Sequence, residues 1–258
     1  MLYITGDTHA NFHRFANKRF KPIFGDEFTS DDIVVICGDF GGVWDDTPEE
    51  RYWLNWLSRK PYQIAFVDGN HENFDLLSGF PVVDYHGGRA HEIRPNIHHL
   101  MRGELFDLCG KKVFAFGGAS SHDIADGVLD PSDDAYKAKL AIYNLMCKQY
   151  RVLGKSWWPQ ELPTEEEMQH GIDTLNSVGF KVDYVISHCL PQEIASVFSM
   201  GLYKSDVLTL YFNGLLQRNL KFDHWFCGHY HIDRDIMGKF HILYENITTV
   251  PDIYHEED

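Results

Sequence analysis

Leu2-Tyr3-Ile4-Thr5-Gly6-Asp7-Thr8-His9 opens the chain with a short apolar run that gives way to a glycine, an acid and an imidazole. Such a run reads as a strand covered on both faces, which needs no polar alternation. The same construction returns along the chain. Residues 33–37 lead into Gly38-Asp39-Phe40-Gly41-Gly42, and 64–67 lead towards Gly69-Asn70-His71-Glu72. Tyr184–Ser187 is followed by His188, and 225–227 by Gly228-His229-Tyr230-His231. A sixth run, 113–116, precedes Gly117-Gly118.

Helical signals fall between these runs. Thr47-Pro48-Glu49-Glu50 reads as a capping box with proline at the first helical position, opening a helix through 52–58. Thr164-Glu165-Glu166-Glu167 repeats the signature before a helix ending near Gly179, and 132–150 reads as a third helix. Residues 105–108 and 113–116, joined through Cys109-Gly110, suggest a hairpin. Strands alternating with helices indicate an α/β fold with mixed sheets and reactive groups at the carboxyl ends of strands. No repeat, low-complexity tract or Pro/Gly/Ser linker divides the chain, so one domain over 1–258 is expected.

Composition narrows the classes. With 258 residues, 44% apolar and 14% aromatic, the chain can bury a substantial core. No apolar run approaches the roughly 20 residues that span a bilayer. The start has no basic region, so a signal peptide is not expected. Cys37, Cys109, Cys147, Cys189 and Cys227 are odd in number and form no CxxC pair, which fits buried thiols in a reducing cytoplasm better than a disulfide framework or thiolate zinc cage. The formal charge of −15 argues against stable nucleic-acid binding through a basic stripe. It leaves an anionic substrate open, because bound cations invert the local field.

Each polar cluster has an ordinary reading beside a chemical one. Asp7 and His9, two apart on an extended backbone, would share a side and suit a divalent metal, while Asp7 could equally cap a helix. Asp39 could end a strand or start a turn. In Asn70-His71-Glu72, the amide can ligate, the imidazole can move protons and the acid can orient that ring, or the three can form a polar turn. His188 alone reads as a structural histidine, and His229 with His231 as a metal pair or a surface pair.

The ordered set says more than its members. Asp-x-His, Gly-Asp, Gly-Asn-His-Glu, a lone strand-end His and Gly-His-x-His occur in that order across residues 6–231. In this the chain resembles the calcineurin-like metallophosphoesterase superfamily. The resemblance implies a sandwich of two mixed β-sheets flanked by helices. It implies one metal on Asp7, His9, Asp39 and His231, and a second on Asp39, Asn70, His188 and His229, with Asp39 bridging. His71 would be the acid that protonates the leaving group, oriented by Glu72. The reaction would be hydrolysis of a phosphate ester by attack of a metal-bound water or hydroxide. Mixed N/O ligation suits two divalent or trivalent ions, with Mn ranked ahead of Fe, Zn, Co and Ni.

One departure bears on substrate. Protein phosphatases of the superfamily carry Asp-Arg shortly after the bridging acid, and that arginine grips phosphate; here the stretch is Phe40-Gly41-Gly42-Val43. Small phosphorylated substrates, diesters or nucleotides, are therefore ranked ahead of phosphoproteins. A phosphoprotein phosphatase, a non-catalytic metal-binding scaffold and an amide or lactone hydrolase are the alternatives. Gly41 and Gly42 are expected to let backbone approach the metals or substrate. The loop from Gly117 to Asp123 could line the site. Trp157 and Trp158 read first as core and second as a platform for a planar leaving group. His98, His99, His224 and His241 are expected to be structural or exposed, and His255-Glu256-Glu257-Asp258 a solvated tail.

Overall fold

All six apolar runs form strands in the computed structural model, which describes residues 1–16 and 28–249; the acidic ending lies outside the described residues. In chain order come β1 (Leu2–Thr5), a 3-10 turn (Phe12–Phe15), β2 (Ile33–Ile36), α1 (Pro48–Leu57), β3 (Gln63–Phe66) and the single turn α2 (Phe74–Leu77). A meander of β4 (Val82–Tyr85), β5 (Gly88–Arg94) and β6 (Ile97–Leu100) leads to β7 (Glu104–Leu108) and β8 (Lys111–Phe116). An excursion follows, with β9 (Val128–Leu129), α3 (Tyr136–Leu145), β10 (Arg151–Val152) and a 3-10 turn at Pro159–Glu161. The chain then forms α4 (Glu165–Ser177), β11 (Tyr184–Ser187), α5 (Gln192–Ser199), α6 (Val207–Gln217) and β12 (His224–Cys227). It closes with β13 (Arg234–Ile236), β14 (Phe240–Ile242) and β15 (Ile247–Thr249).

Two mixed sheets result, ordered β15-β1-β2-β3-β6-β5-β4 and β13-β14-β12-β11-β8-β7, with β9 and β10 as a small pair apart. β1, β2, β3 and β6 run parallel in the first sheet, and β8, β11, β12 and β14 in the second.

Alternation along each strand explains why the runs are apolar throughout. Leu2, Ile4, Ile33, Val35, Ala65 and Val67 face the gap between the sheets, where they join Val113, Ala115, Ile186 and Phe226. Their neighbours Tyr3, Val34, Ile36, Ile64 and Phe66 face outward under Leu54 and Leu57 of α1. On the second sheet Phe114, Phe116, Val185 and Trp225 face outward against Leu175 of α4, Ala195 of α5 and Phe212 of α6. Each fully buried large side chain contributes about 1.5–3 kcal/mol of transfer free energy, so every run is held from both faces.

Local signals fared unevenly. Thr164 forms the full reciprocal box with Glu167, and α4 stops just before Gly179 at φ +67. Thr47 caps α1 by accepting from Glu50 N, but the Glu50 carboxylate turns away to accept from Trp44 N and Asp45 N, so only half the expected box exists. The helix expected over 132–150 is confined to α3, which buries none of its residues and so gains no packing that would extend it. The hairpin at Cys109-Gly110 forms with both residues at positive φ. Cys37, Cys189 and Cys227 are buried, whereas Cys109 and Cys147 are exposed, correcting the expectation of buried thiols throughout.

Candidate metal centre

The parallel strands of both sheets deliver their ends to one place. Asp7 and His9 follow β1, Asp39 follows β2, Asn70 and His71 follow β3, His188 follows β11, and His229 and His231 follow β12. The expectation of an extended Asp7–His9 segment fails, because His9 sits at φ +43 and Ala10 at φ +62. A turn brings the two side chains together, clipped by Thr8 N and His9 N donating to Asp39 O at 3.1 and 2.8 Å. Asp39 (φ +48), His229 (φ +70) and His231 (φ +50) share this left-handed backbone, which non-glycine residues adopt only where surroundings impose it.

The glycines beside these residues set the spacing. A Cβ on Gly69 would lie 2.1 Å from Asp39 Oδ1, and one on Gly228 would lie 1.9 Å from Asp7 Oδ1. No other residue lets neighbouring strand ends come so close.

Ligand atoms of Asp7, His9, Asp39 and His231 all lie within 4.8 Å of one another. His9 Nε2 and His231 Nε2 stand 2.9 Å apart, at 3.7 and 3.2 Å from Asp7 Oδ2. On the other side of Asp39, His188 Nε2 lies 3.4 Å from its Oδ1 and 3.3 Å from Asn70 Oδ1. His188 Nδ1 faces Cys37 O at 2.7 Å, which fixes Nδ1 as the protonated atom and points Nε2 at the carboxylate. His229 joins this side, its ring centroid 4.9 Å from that of His188. Backbone donors aim both acids: His71 N donates to Asp39 Oδ1 at 2.8 Å, and His229 N to Asp7 Oδ1 at 2.9 Å.

Asp7 and Asp39 are at most 1% exposed, and their ionic partners among the described residues are all imidazoles. Burial works to raise the Asp39 carboxyl, but His188, His71 and His9 hold it below the usual carboxylate range. Burial likewise opposes protonation of His188, yet Asp39 and Asp7 push it up to about 10. In the metal-free chain a proton on His188 thus supplies positive charge to the buried acids. Burial, with His188 and His122 adding to it, drives His229 well below its ordinary value, leaving it a neutral donor.

His71 stands beside this group, its ring centroid 5.1 Å from that of His9. Glu72 does not orient that ring. Its Oε1 accepts from Phe40 N at 2.8 Å, its Oε2 is buried without a hydrogen-bond partner, and burial raises its pKa well above the ordinary value. The ring instead meets Arg151, whose Nη2 lies 3.0 Å from His71 Nε2. Nothing local in the sequence marks Arg151, which belongs to a two-residue strand far from any motif. His122 is also close, its Nε2 2.7 Å from His229 Nε2, and Ser121 accepts from Asn70 Nδ2 at 3.4 Å, so the loop from Gly117 does line the site. Arg14 Nη2 donates to Asp7 O at 2.6 Å, stapling that turn from behind.

Residues 2–233, and therefore every one of these strand ends, match the family model described as calcineurin-like phosphoesterase. The chain belongs to this family. No curated protein matches it. Among solved structures, phosphopantetheinyl hydrolase from Mycobacterium tuberculosis is similar over 95% of this chain and 89% of that one, at 17% identity and a TM-score of 0.42.

This calcineurin-like phosphoesterase is a metal-dependent phosphoester hydrolase, and none of its described helices is long and apolar enough to cross a membrane. The glycines and the tryptophan singled out in the sequence can now be placed. A Cβ on Gly42 would meet Phe40 Cε1 at 2.5 Å, so Gly42 makes room for a core ring, while Gly41 (φ +69) packs on the His9–Ala10 backbone, and both glycines line the groove beside His9. Trp158 is buried, with its Nε1 donating to Asp75 Oδ2 at 2.8 Å, which makes it core rather than platform. The aromatic surface beside the site comes from elsewhere. A groove of about 400 Å³ is lined by His9, Phe12, Gly41, Trp44, Trp53 and His71, with Asp45 and Glu49 also on its wall.

Proposed function

We propose that this phosphoesterase is a dinuclear hydrolase of small phosphate esters, with diesters and nucleotides preferred to phosphoproteins. The observation that carries the reading is the convergence of His9 Nε2 and His231 Nε2, 2.9 Å apart, on buried Asp7 and Asp39 without a lysine or arginine partner for either carboxylate among the described residues. Two buried carboxylates ringed by imidazole nitrogens, with an amide oxygen beside them, form a mixed N/O donor set, and cations joining them would take over the compensation that a proton on His188 supplies without metal, so the donor set fits metal. Asp7, His9, Asp39 and His231 would hold one ion, and Asp39, Asn70, His188 and His229 the other. Two such ions supply charge that offsets the repulsion of phosphoryl oxygens, activates water and stabilises the transition state; we rank Mn first.

The chain's own residues do the remaining work. His188 is held in one tautomer by Cys37 O, and Asp39 is aimed by His71 N, so the cage is oriented before anything binds. His71 would carry the proton for the departing oxygen, which accordingly enters the groove that His71 lines. Trp44 and Trp53 suit a planar leaving group there, while Asp45 and Glu49 repel leaving groups bearing further phosphates. A panel of monoesters, diesters, nucleotides and phosphopeptides, run with added Mn²⁺ and with metal analysis, tests this. Small aromatic esters are expected to turn over ahead of phosphopeptides. A fully metal-loaded protein that turned over none would point to a scaffold instead.

A further inference from the structure

The cage and His71 contain no permanent cation to meet the phosphoryl oxygens, and the position after Asp39 that carries one in protein phosphatases is Phe40-Gly41-Gly42-Val43. Arg151 reaches the same place by another route. It opens β10, and the turn after it wraps the guanidinium: Ser156 Oγ accepts from Val152 N at 2.9 Å, and Ser156 O accepts from Arg151 Nη1 at 3.0 Å. Asp123 Oδ1 accepts from Arg151 Nε at 2.7 Å. These two contacts hold Nε and Nη1 and leave Nη2 facing inward, 3.0 Å from His71 Nε2.

That inward contact is weak for so buried a charge. Arg151 is 7% exposed, and a guanidinium does not lose its proton, so His71 Nε2 can only be accepting. Nη2 carries two N–H groups, and one imidazole lone pair serves only one of them. The carboxylate of Asp123 is 57% exposed and screened by water, and Glu161 Oε1 lies 3.8 Å from Nη1, beyond hydrogen-bond reach. Both carboxylates face Nε and Nη1, so the inward Nη2 of this buried cation meets only a neutral ring. An anion between Arg151 and the metal cage would compensate it, and a charged oxygen is a stronger acceptor than imidazole.

We propose that Arg151 grips a non-bridging oxygen of the substrate phosphoryl group through Nη2, exchanging its contact with His71 Nε2 for the phosphate. The assignment rests on the phosphoesterase reading of the cage, and it gives the excursion between β8 and α4 a task in substrate binding. Because Nε and Nη1 are already held, little side-chain freedom remains to be lost on binding.

Titration of inorganic phosphate into the Mn²⁺-loaded full chain reads the clamp without needing turnover. Arg151→Gln is expected to weaken phosphate about tenfold to a hundredfold while metal content stays unchanged. Arg151→Lys keeps the charge and loses the fork, and should recover only part of that affinity. Arg151→Ala should regain phosphate binding and ester turnover in guanidinium chloride but not in sodium chloride of equal ionic strength, a response that a merely loosened loop would not give. Asp123→Asn, which keeps Arg151 but removes the charge facing its Nε, should cost less than Arg151→Gln. Equal phosphate affinity in wild type and Arg151→Gln, no measurable phosphate binding by wild type, or rescue by both salts alike would each overturn the proposal. Absence of turnover across the ester panel, with the phosphate affinities still separated, would instead sink the hydrolase reading and leave the clamp standing.

Discussion

The cage and the excursion that carries Arg151 place side chains in one site by opposite means. Cage residues sit within a few positions of strands that are buried on both faces, so two cores fix them and glycines let them touch. Arg151 hangs on a two-residue strand beside α3, a helix with no buried residue, and is held by hydrogen bonds to Asp123 and Ser156. The first arrangement is rigid because packing is dense. The second is polar and locally tethered, which suits a group that changes partner when substrate arrives.

Breaking the cage should have the largest effect. Asp39→Asn removes the charge shared by both halves, and we expect metal content and turnover to fall together, turnover by on the order of 10³-fold or more, read by metal analysis and steady-state kinetics. His71→Ala should keep the metal and lose about 10²–10⁴-fold in kcat, with the loss shrinking for esters whose leaving groups need no proton. Retained activity in Asp39→Asn would undo the assignment of the cage.

Two glycines sharpen the contrast in packing. Gly69→Ala drives a Cβ to 2.1 Å from Asp39 Oδ1 and should cost about 3 kcal/mol along with metal affinity. Gly154→Ala, in the excursion, meets nothing within 4 Å and suffers only its φ of +67, so about 1 kcal/mol is expected by urea denaturation.

Glu161 tests the polar tether by pH. Burial pushes its carboxyl up to about 7, against the hydrogen bonds from Ser121 and the charge of Arg151. A raised acid keeps its proton in the fold after the unfolded chain has lost it. Its stabilisation is therefore complete below the unfolded value of 4.5 and disappears as pH rises through 7. Between those limits the metal-free wild type should lose on the order of 3 kcal/mol more stability than Glu161→Gln, measured by denaturant melts. Parallel losses in both proteins would show that the carboxyl titrates normally.

Periodicity and punctuation made much of this molecule legible. The runs at Leu2–Thr5 and Tyr184–Ser187 form strands with the expected bounds. The mixed sheets, the strand-end placement of the polar clusters and membership of the family also followed from residue order. The meander of β4, β5 and β6 and the closing strands β13, β14 and β15 have no such runs to mark them. α5 and α6 carry weak local signals: α5 has no side-chain cap, and α6 starts at Asp206 with Thr209, rather than Glu or Gln, completing the box.

What sequence alone determined was the list of chemical groups and the strands that carry them, because strand burial and the residues next to it are local properties of the chain. Only the tertiary structure decided how those groups meet. The His9 turn, the redirected Glu72 and Glu50 carboxylates, and the arrival of Arg151 at His71 depend on contacts between segments far apart in sequence. Hydrogen-bond geometry and close packing choose those contacts, and no spacing within one segment encodes them.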